Sequence, residues 1–311
     1  MKRYIENVFF TASFIVIFAF IIKTFSSYFI QAVTHQIPVF PANRSLFSEQ
    51  EQKWTDNVRF FDLAEGEQAE QVTVLLYHRV IDDQDISKIH YGNDGKLYDT
   101  IVKRSEFEKQ MNYLREENYV TLTAKEFQLF MQGNLNVPKK SVVITFDDGF
   151  KDNFVEAYPI LKANNFSAIN FLITGFVSER NEKYQASNAQ YFSLDEIKQS
   201  SSVFEFLSHT YNFHRKTKEG MAYLKAKSKE EVKEDISTSL INLNGRNRAF
   251  AYPYGEYNEE TINILKELGI EMAFTVEYKD AKPGLSMYEI PRKTVFPEDT
   301  IRDFIAKIHH D

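Results

Sequence analysis

A parallel α/β fold, its sheet open or closed into a barrel, is what residues 72–311 predict. Three observations carry the prediction. Short runs of β-branched and aromatic residues alternate with stretches of helical periodicity along the whole segment. The runs read as buried strands. Several of them end in polar groups, at the strand-end position where α/β proteins hold ligands and chemistry.

Composition supports one large core and limits the chemistry. The 311 residues are 43% hydrophobic and 15% aromatic, with 28 Phe and 17 Tyr against 11 Gly, which excludes a disordered chain and suffices for a domain of barrel size. A net charge of −7 leaves no basic footprint, so nucleic acid is not an expected partner; a neutral sugar substrate or a basic polymer product is compatible with it. The absence of cysteine excludes thiol catalysis, Cys-ligated zinc and disulfides together.

The chain opens on a segment of different character. Lys2 and Arg3 precede an uncharged, mostly apolar stretch of fifteen residues, 8–22, and Lys23 separates it from a second stretch, 25–30. Together they approach the ~20 residues of a membrane span. The basic start predicts that end inside and the bulk of the chain outside. Residues 1–33 therefore predict a signal anchor or transmembrane helix, on the extracytoplasmic face of the cell membrane; a cleaved signal peptide is the alternative. Residues 34–71, with Pro38, Pro41 and many Gln and Glu, read as a tether, part of which Trp54 docks.

From residue 72 the elements follow in order. Residues 72–78 form a strand ending in His78, and a polar loop covers 81–100. A helix then puts Phe107, Met111 and Leu114 on one face. Residues 119–122 make a short strand, and Thr123-Ala124-Lys125-Glu126 is a capping box for the next helix. The strand 141–146 runs into Asp147-Asp148-Gly149, with a helix over 151–164. Strands over 166–174, 203–209, 248–254 and 271–276 alternate with helices opening at Ser193 and covering 229–242 and 258–268; 297–310 closes as a helix. No internal repeat divides the segment.

Four strand ends deliver polar groups: Tyr77-His78, Asp147-Asp148, His209 with His214, and Tyr252-Pro253-Tyr254-Gly255. In a parallel barrel they share one rim. Neighbouring residues at a strand end point in different directions, so Asp147 and Asp148 suit different tasks, one holding a metal and the other a proton. Asp148-Gly149 as a plain turn is the simpler alternative. Two His and one Asp suit an open catalytic metal site. His209 and His214 are five apart, too far for neighbours on an ideal helix face, so a loop or distorted turn must bring them together.

Thr145-Phe146-Asp147-Asp148-Gly149, followed by His209-Thr210 and His214, resembles the first two motifs of the polysaccharide deacetylases, carbohydrate esterase family 4. The resemblance covers residues 72–311 and implies a deformed (β/α) barrel that removes acetyl groups from N-acetylglucosamine units with a divalent metal. Zinc is the first expectation, with cobalt, nickel and iron equally suited to imidazole and carboxylate. It implies Asp147 as general base and Asp148, His209 and His214 as metal ligands. Phe250-Ala251-Tyr252-Pro253-Tyr254-Gly255 resembles the third motif, making the Tyr254 main-chain N–H an oxyanion donor worth about 3–4 kcal/mol. Tyr211, Phe213 and Tyr252 are candidate sugar-stacking residues.

Three features depart from the usual pattern. The histidine spacing is one residue longer, Ala251 stands in the place of the family's arginine, and the general-acid motif precedes the first motif as Leu76-Tyr77-His78. These departures resemble the branch acting on poly-β-1,6-N-acetylglucosamine in biofilms. They make His78 the expected general acid and Arg292 the candidate replacement for the missing arginine. A polysaccharide substrate, the membrane and an exopolysaccharide synthase complex are the implied partners. A peptidoglycan N-acetylglucosamine deacetylase, a non-catalytic polysaccharide binder and a secreted xylan or chitin esterase are the rival readings.

Overall fold

A computed structural model describes residues 39–309. The expected anchor, 1–33, lies outside the described residues; among those described, no helix is long and apolar enough to cross a membrane.

The strands are β1 (Thr73–Tyr77), β2 (Arg79–Ile81), β3 (Ile101–Lys103), β4 (Val120–Thr121), β5 (Ser141–Phe146), β6 (Ala168–Leu172), β7 (Phe204–Ser208), β8 (Ala249–Ala251), β9 (Met272–Phe274) and β10 (Lys293–Thr294). The helices are α1 (Arg104–Glu116), α2 (Ala124–Met131), α3 (Tyr158–Ala163), α4 (Leu194–Ser200), α5 (Tyr223–Ala226), α6 (Lys229–Asn242), α7 (Glu259–Glu267) and α8 (Ile301–Ile308). The main sheet is wholly parallel in the order β10-β1-β5-β6-β7-β8-β9, with β4 beside the start of β5. Phe274 on β9 pairs with Ile290, three residues before β10, so the sheet curls into a half-barrel whose two edges meet through that segment.

Every residue of β1, β5, β6, β7, β8 and β9 is buried, which is why these strands read as continuous apolar runs. Side-chain alternation sorts most of them into two cores, with Phe250 of β8 and Ala273 of β9 entering a third. Val74, Val143, Phe171, Leu207, Ala251 and Phe274 share one with Phe127 and Phe130 of α2. Leu75, Tyr77, Ile144, Phe146, Phe204 and Phe206 pack in the other with Phe107, Met111 and Leu114 of α1 and Phe304 of α8.

Short elements were not foreseen. β2 and β3 form a separate two-stranded parallel sheet that flanks the predicted loop. The predicted helix over 151–164 is interrupted by a π-turn, Asn153–Ala157, before α3.

The segment expected to be a tether is, from Phe40 onward, part of the domain. Phe40, Leu46 and Phe47 are buried in the core. A 3-10 helix, Glu49–Asp56, carries Gln52, which is fully buried. Its amide donates to Ser201 O (3.0 Å) and Phe204 O (3.1 Å) and accepts from Phe206 N (3.0 Å). β7 needs this because β8 reaches only its last residue, through Ser208 and Phe250; the glutamine completes the ladder where no strand does. The Trp54 indole N–H also donates to Ser201 O. Polar composition suggested a linker, but hydrogen bonding to a distant strand edge makes the segment structural. Gln52→Ala strips two strand groups of their partners and is expected to cost about 3 kcal/mol in denaturant unfolding, at ~1–3 kcal/mol for each buried group left unpaired.

Candidate active site and metal centre

The C-terminal ends of β1 and β5 lie side by side, with Tyr77 in register with Phe146. The next residues, His78 and Asp147, therefore enter the rim as neighbours. After Asp147 the chain turns sharply: Asp148 has φ +72° and Gly149 φ +71°. A Cβ on Gly149 would lie 2.6 Å from Leu172 Cδ2, so glycine is required there by space as well as by torsion. This turn separates the two carboxylates as the sequence suggested, sending Asp147 to Arg292 and Asp148 to the two histidines.

Asp148, His209 and His214 form a cluster in which one ligand atom from each lies within 4.8 Å of the others. Asp148 Oδ1 is 3.4 Å from His209 Nε2 and 3.2 Å from His214 Nε2. Those separations match the ~3.3 Å edge of a tetrahedron with bonds of about 2.0–2.1 Å. Asp148 Oδ1 is buried and has no hydrogen-bond partner among the described residues, an arrangement that costs free energy unless a cation completes it. His209 Nδ1 lies 2.8 Å from Ala251 O, which as a bare acceptor takes the Nδ1 proton and leaves the Nε2 lone pair facing the cluster. Burial alone would raise the Asp148 carboxyl, but the neighbouring histidines His209, His214 and His78 outweigh it and hold the group well below the usual carboxylate range. Burial, with His209 and His78 nearby, pushes His214 down to about 4 against the pull of Asp148; a neutral imidazole is the form that ligates. The residues fit a divalent ion.

The link between the histidines is a loop, with Thr210 at φ +77°. A β-branched residue in that region is a genuine outlier.

Arg292 is fully buried and grips Asp147 with both arms, Nη1 to Oδ1 at 2.7 Å and Nη2 to Oδ2 at 2.8 Å. Its Nε donates to Thr275 O (2.9 Å), and its guanidinium lies over Phe171 and Phe274, 5.7 and 5.9 Å from the ring centroids. Thr145 Oγ1 accepts from Arg292 and donates to Leu75 O, joining the pair to β1. Burial opposes ionisation of Asp147, but Arg292, with His209 and His78, holds its carboxyl below the ordinary value. Arg292 thus meets Asp147 as the candidate replacement for the arginine missing at Ala251.

His78 is partly buried, and its carbonyl accepts from Asn153 Nδ2 at 2.7 Å. Asn153 opens the π-turn and is itself held by Asn170 (2.9 Å). Asp152 bonds Arg79 Nε (2.7 Å) and Val80 N (3.2 Å), fixing the chain just after His78. Sequence reasoning missed Asp152 and Asn153; their only signal was a polar pair three residues beyond the glycine of the Asp-Asp-Gly motif. Tyr254 is in the left-handed region (φ 60°, ψ 8°), its ring 4.4 Å from that of His214 and its hydroxyl donating to His214 O (3.2 Å).

The expected sugar-stacking residues fare differently. Tyr252 is fully buried; it stacks on Tyr257 and donates to Tyr288 O (3.0 Å), so it has no surface to offer a sugar and is a core residue instead. Phe213 packs edge-on against Tyr223 beside the same core. Tyr211 gives its hydroxyl to Phe40 O (2.6 Å), tying its loop to the N-terminal segment.

A parallel half-barrel whose strand ends gather an Asp-His-His cluster and an arginine-locked aspartate defines a polysaccharide deacetylase, and the chain belongs to that family. The family model, polysaccharide deacetylase, matches residues 134–273. Among relatives, the chain is 31% identical over 226 residues to the poly-β-1,6-N-acetyl-D-glucosamine N-deacetylase of Staphylococcus aureus, covering 70% of this chain and 76% of that one. It is 32% identical over 227 residues to the enzyme of the same name from Staphylococcus epidermidis, with the same coverage. Among solved structures it is similar to IcaB from Ammonifex degensii, with a TM-score of 0.61 and 27% identity over 74% of this chain and 94% of that one. The Streptococcus pyogenes deacetylase PplD, solved with acetate, shares the fold at a TM-score of 0.65 and 24% identity, over 77% and 99% of the two chains.

Proposed function

We propose that this protein hydrolyses the acetamide of N-acetylglucosamine units in a cell-surface exopolysaccharide, with poly-β-1,6-N-acetyl-D-glucosamine as substrate. The observation that carries the reading is the pairing of a locked, ionised Asp147 with the Asp148, His209 and His214 cluster at one rim. The names of the staphylococcal relatives support the choice of polymer.

Asp148, His209 and His214 would hold a divalent ion, zinc being the first candidate. When bound, such an ion supplies Lewis-acid charge to a carbonyl oxygen and lowers the pKa of water toward about 7. Asp147 takes the proton of the attacking water; each carboxylate oxygen keeps a second lone pair for this while the first accepts from Arg292. The main-chain N–H of Tyr254 donates to the oxyanion as the water oxygen bonds to the acyl carbon. His78, neighbouring Asp147 at the ends of β1 and β5, hands a proton to the nitrogen as the C–N bond breaks, and acetate and a free amine leave. Amines formed along the chain are cationic at neutral pH, which gives a neutral polymer affinity for anionic surfaces and so supports biofilm adhesion. The basic, apolar N-terminus favours attachment at the outer face of the membrane, where a synthase complex would export the substrate.

The test is amine and acetate release from a defined β-1,6 N-acetylglucosamine oligomer and, in parallel, from peptidoglycan fragments. Preference for the oligomer is expected. Alanine at Asp148, His209 or His214 is expected to abolish both metal retention and turnover; full acetate release by metal-free variants would refute the reading.

A further inference from the structure

Asp235 belongs to none of the motifs described so far. It lies on α6, on the face that buries Val232, Ile236 and Ser239, and is itself only 6% exposed. An acid on the buried face of an amphipathic helix is costly unless its oxygens are satisfied. Both are: Oδ1 accepts from Tyr211 N at 2.9 Å and Oδ2 from Asn212 N at 2.8 Å. These two amides stand midway between His209 and His214.

The loop they belong to is held from its other side too. Thr174 N donates to Thr210 O (3.0 Å) and Gly175 N to Tyr211 O (2.8 Å). Ligands four apart on a helix meet without help. Here they are five apart, on a loop that passes through a disfavoured torsion at Thr210. Such a loop relaxes unless its surroundings over-determine it.

We propose that Asp235 is a positioning residue of the metal centre. Its carboxylate clamps the 210–213 loop so that His209 and His214 present their Nε2 atoms together before an ion binds. The extra residue in the histidine spacing is what the clamp accommodates. This inference rests on the metal reading of the Asp148 cluster. Outer groups that orient ligands typically set metal affinity within a factor of about 10–100.

The experiment is titration of Co2+ into the metal-free full chain, followed by the d–d absorption of the bound ion, with Zn2+ added in competition. Asp235→Asn keeps the shape but aims an amide NH2 at one of the two main-chain donors. It is expected to bind Co2+ about 10–100-fold more weakly, with kcat at saturating metal changed less than the affinity. Gln52→Ala, destabilised where the 3-10 helix caps β7 and without a bond to the 210–213 loop, is expected to keep wild-type affinity and so separates positioning from general loosening. In the metal-free wild type, the amides of Tyr211 and Asn212 are expected to exchange hydrogen more slowly than open-loop amides; this decides the matter if Asp235→Asn does not fold. Wild-type affinity in folded Asp235→Asn, or open-loop exchange at those two amides, overturns the inference and leaves the metal reading intact. No Co2+ binding by the wild type overturns both.

Discussion

Asp147→Asn should keep its metal and lose turnover by about 10²–10⁴-fold, the range a positioned general base contributes. The carboxylate is 3% exposed and touches Arg292 through both oxygens. It is absent from the Asp148, His209 and His214 cluster, so the substitution leaves every ligand in place. An amide cannot accept the proton of water, and its NH2 would face a guanidinium donor, so one charge-assisted bond is lost as well. Steady-state amine release and Co2+ affinity, measured on the same preparation, separate the roles. Loss of metal would make Asp147 a ligand, and retention of turnover would move the base elsewhere.

What was legible in the sequence was whatever local pattern encodes. Buried parallel strands are continuous apolar runs, so β1, β5, β6 and β7 stood out, and polar residues at the ends of β1, β5, β7 and β8 marked the rim. β2, β3 and β10 are two or three residues set among charged and polar neighbours, so no apolar run marks them, whereas the equally short β4, β8 and β9 lie inside longer apolar stretches. Alternation along β8 makes Tyr252 a core residue and not a sugar contact: Phe250 and Tyr252 share one face and one core, while Ala251 faces the other. Gln52 and Asp235 owe their roles to bonds with residues 201–206 and 211–212, far away in the chain. No composition window contains such information. Arg292 was a candidate only as the replacement for the arginine absent at Ala251; its meeting with Asp147, 145 residues away, depends on how β10 closes against β1.

Arg292→Met should be the most damaging single change for stability, about 3–5 kcal/mol at neutral pH, because it leaves a buried carboxylate without its partner. The pH dependence carries the argument further. In the wild type the Asp147 carboxyl is held below its ordinary value of about 3.9. The stability it contributes is therefore complete above that value and is lost as pH falls through the lower, folded one. Without Arg292, burial dominates and raises the same group, so the variant loses stability as pH rises above about 4 instead. The gap between the two proteins should accordingly be widest near neutrality and close toward acid, in urea unfolding followed from pH 3 to pH 7. Asp147→Asn in the Arg292→Met background removes the buried charge and should recover part of the loss, a coupling within the range of about 0.5–3 kcal/mol seen for contacting residues. A gap independent of pH, with no coupling in the double variant, would mean that Arg292 acts through its packing between Phe171 and Phe274 and that Asp147 is held ionised by something else.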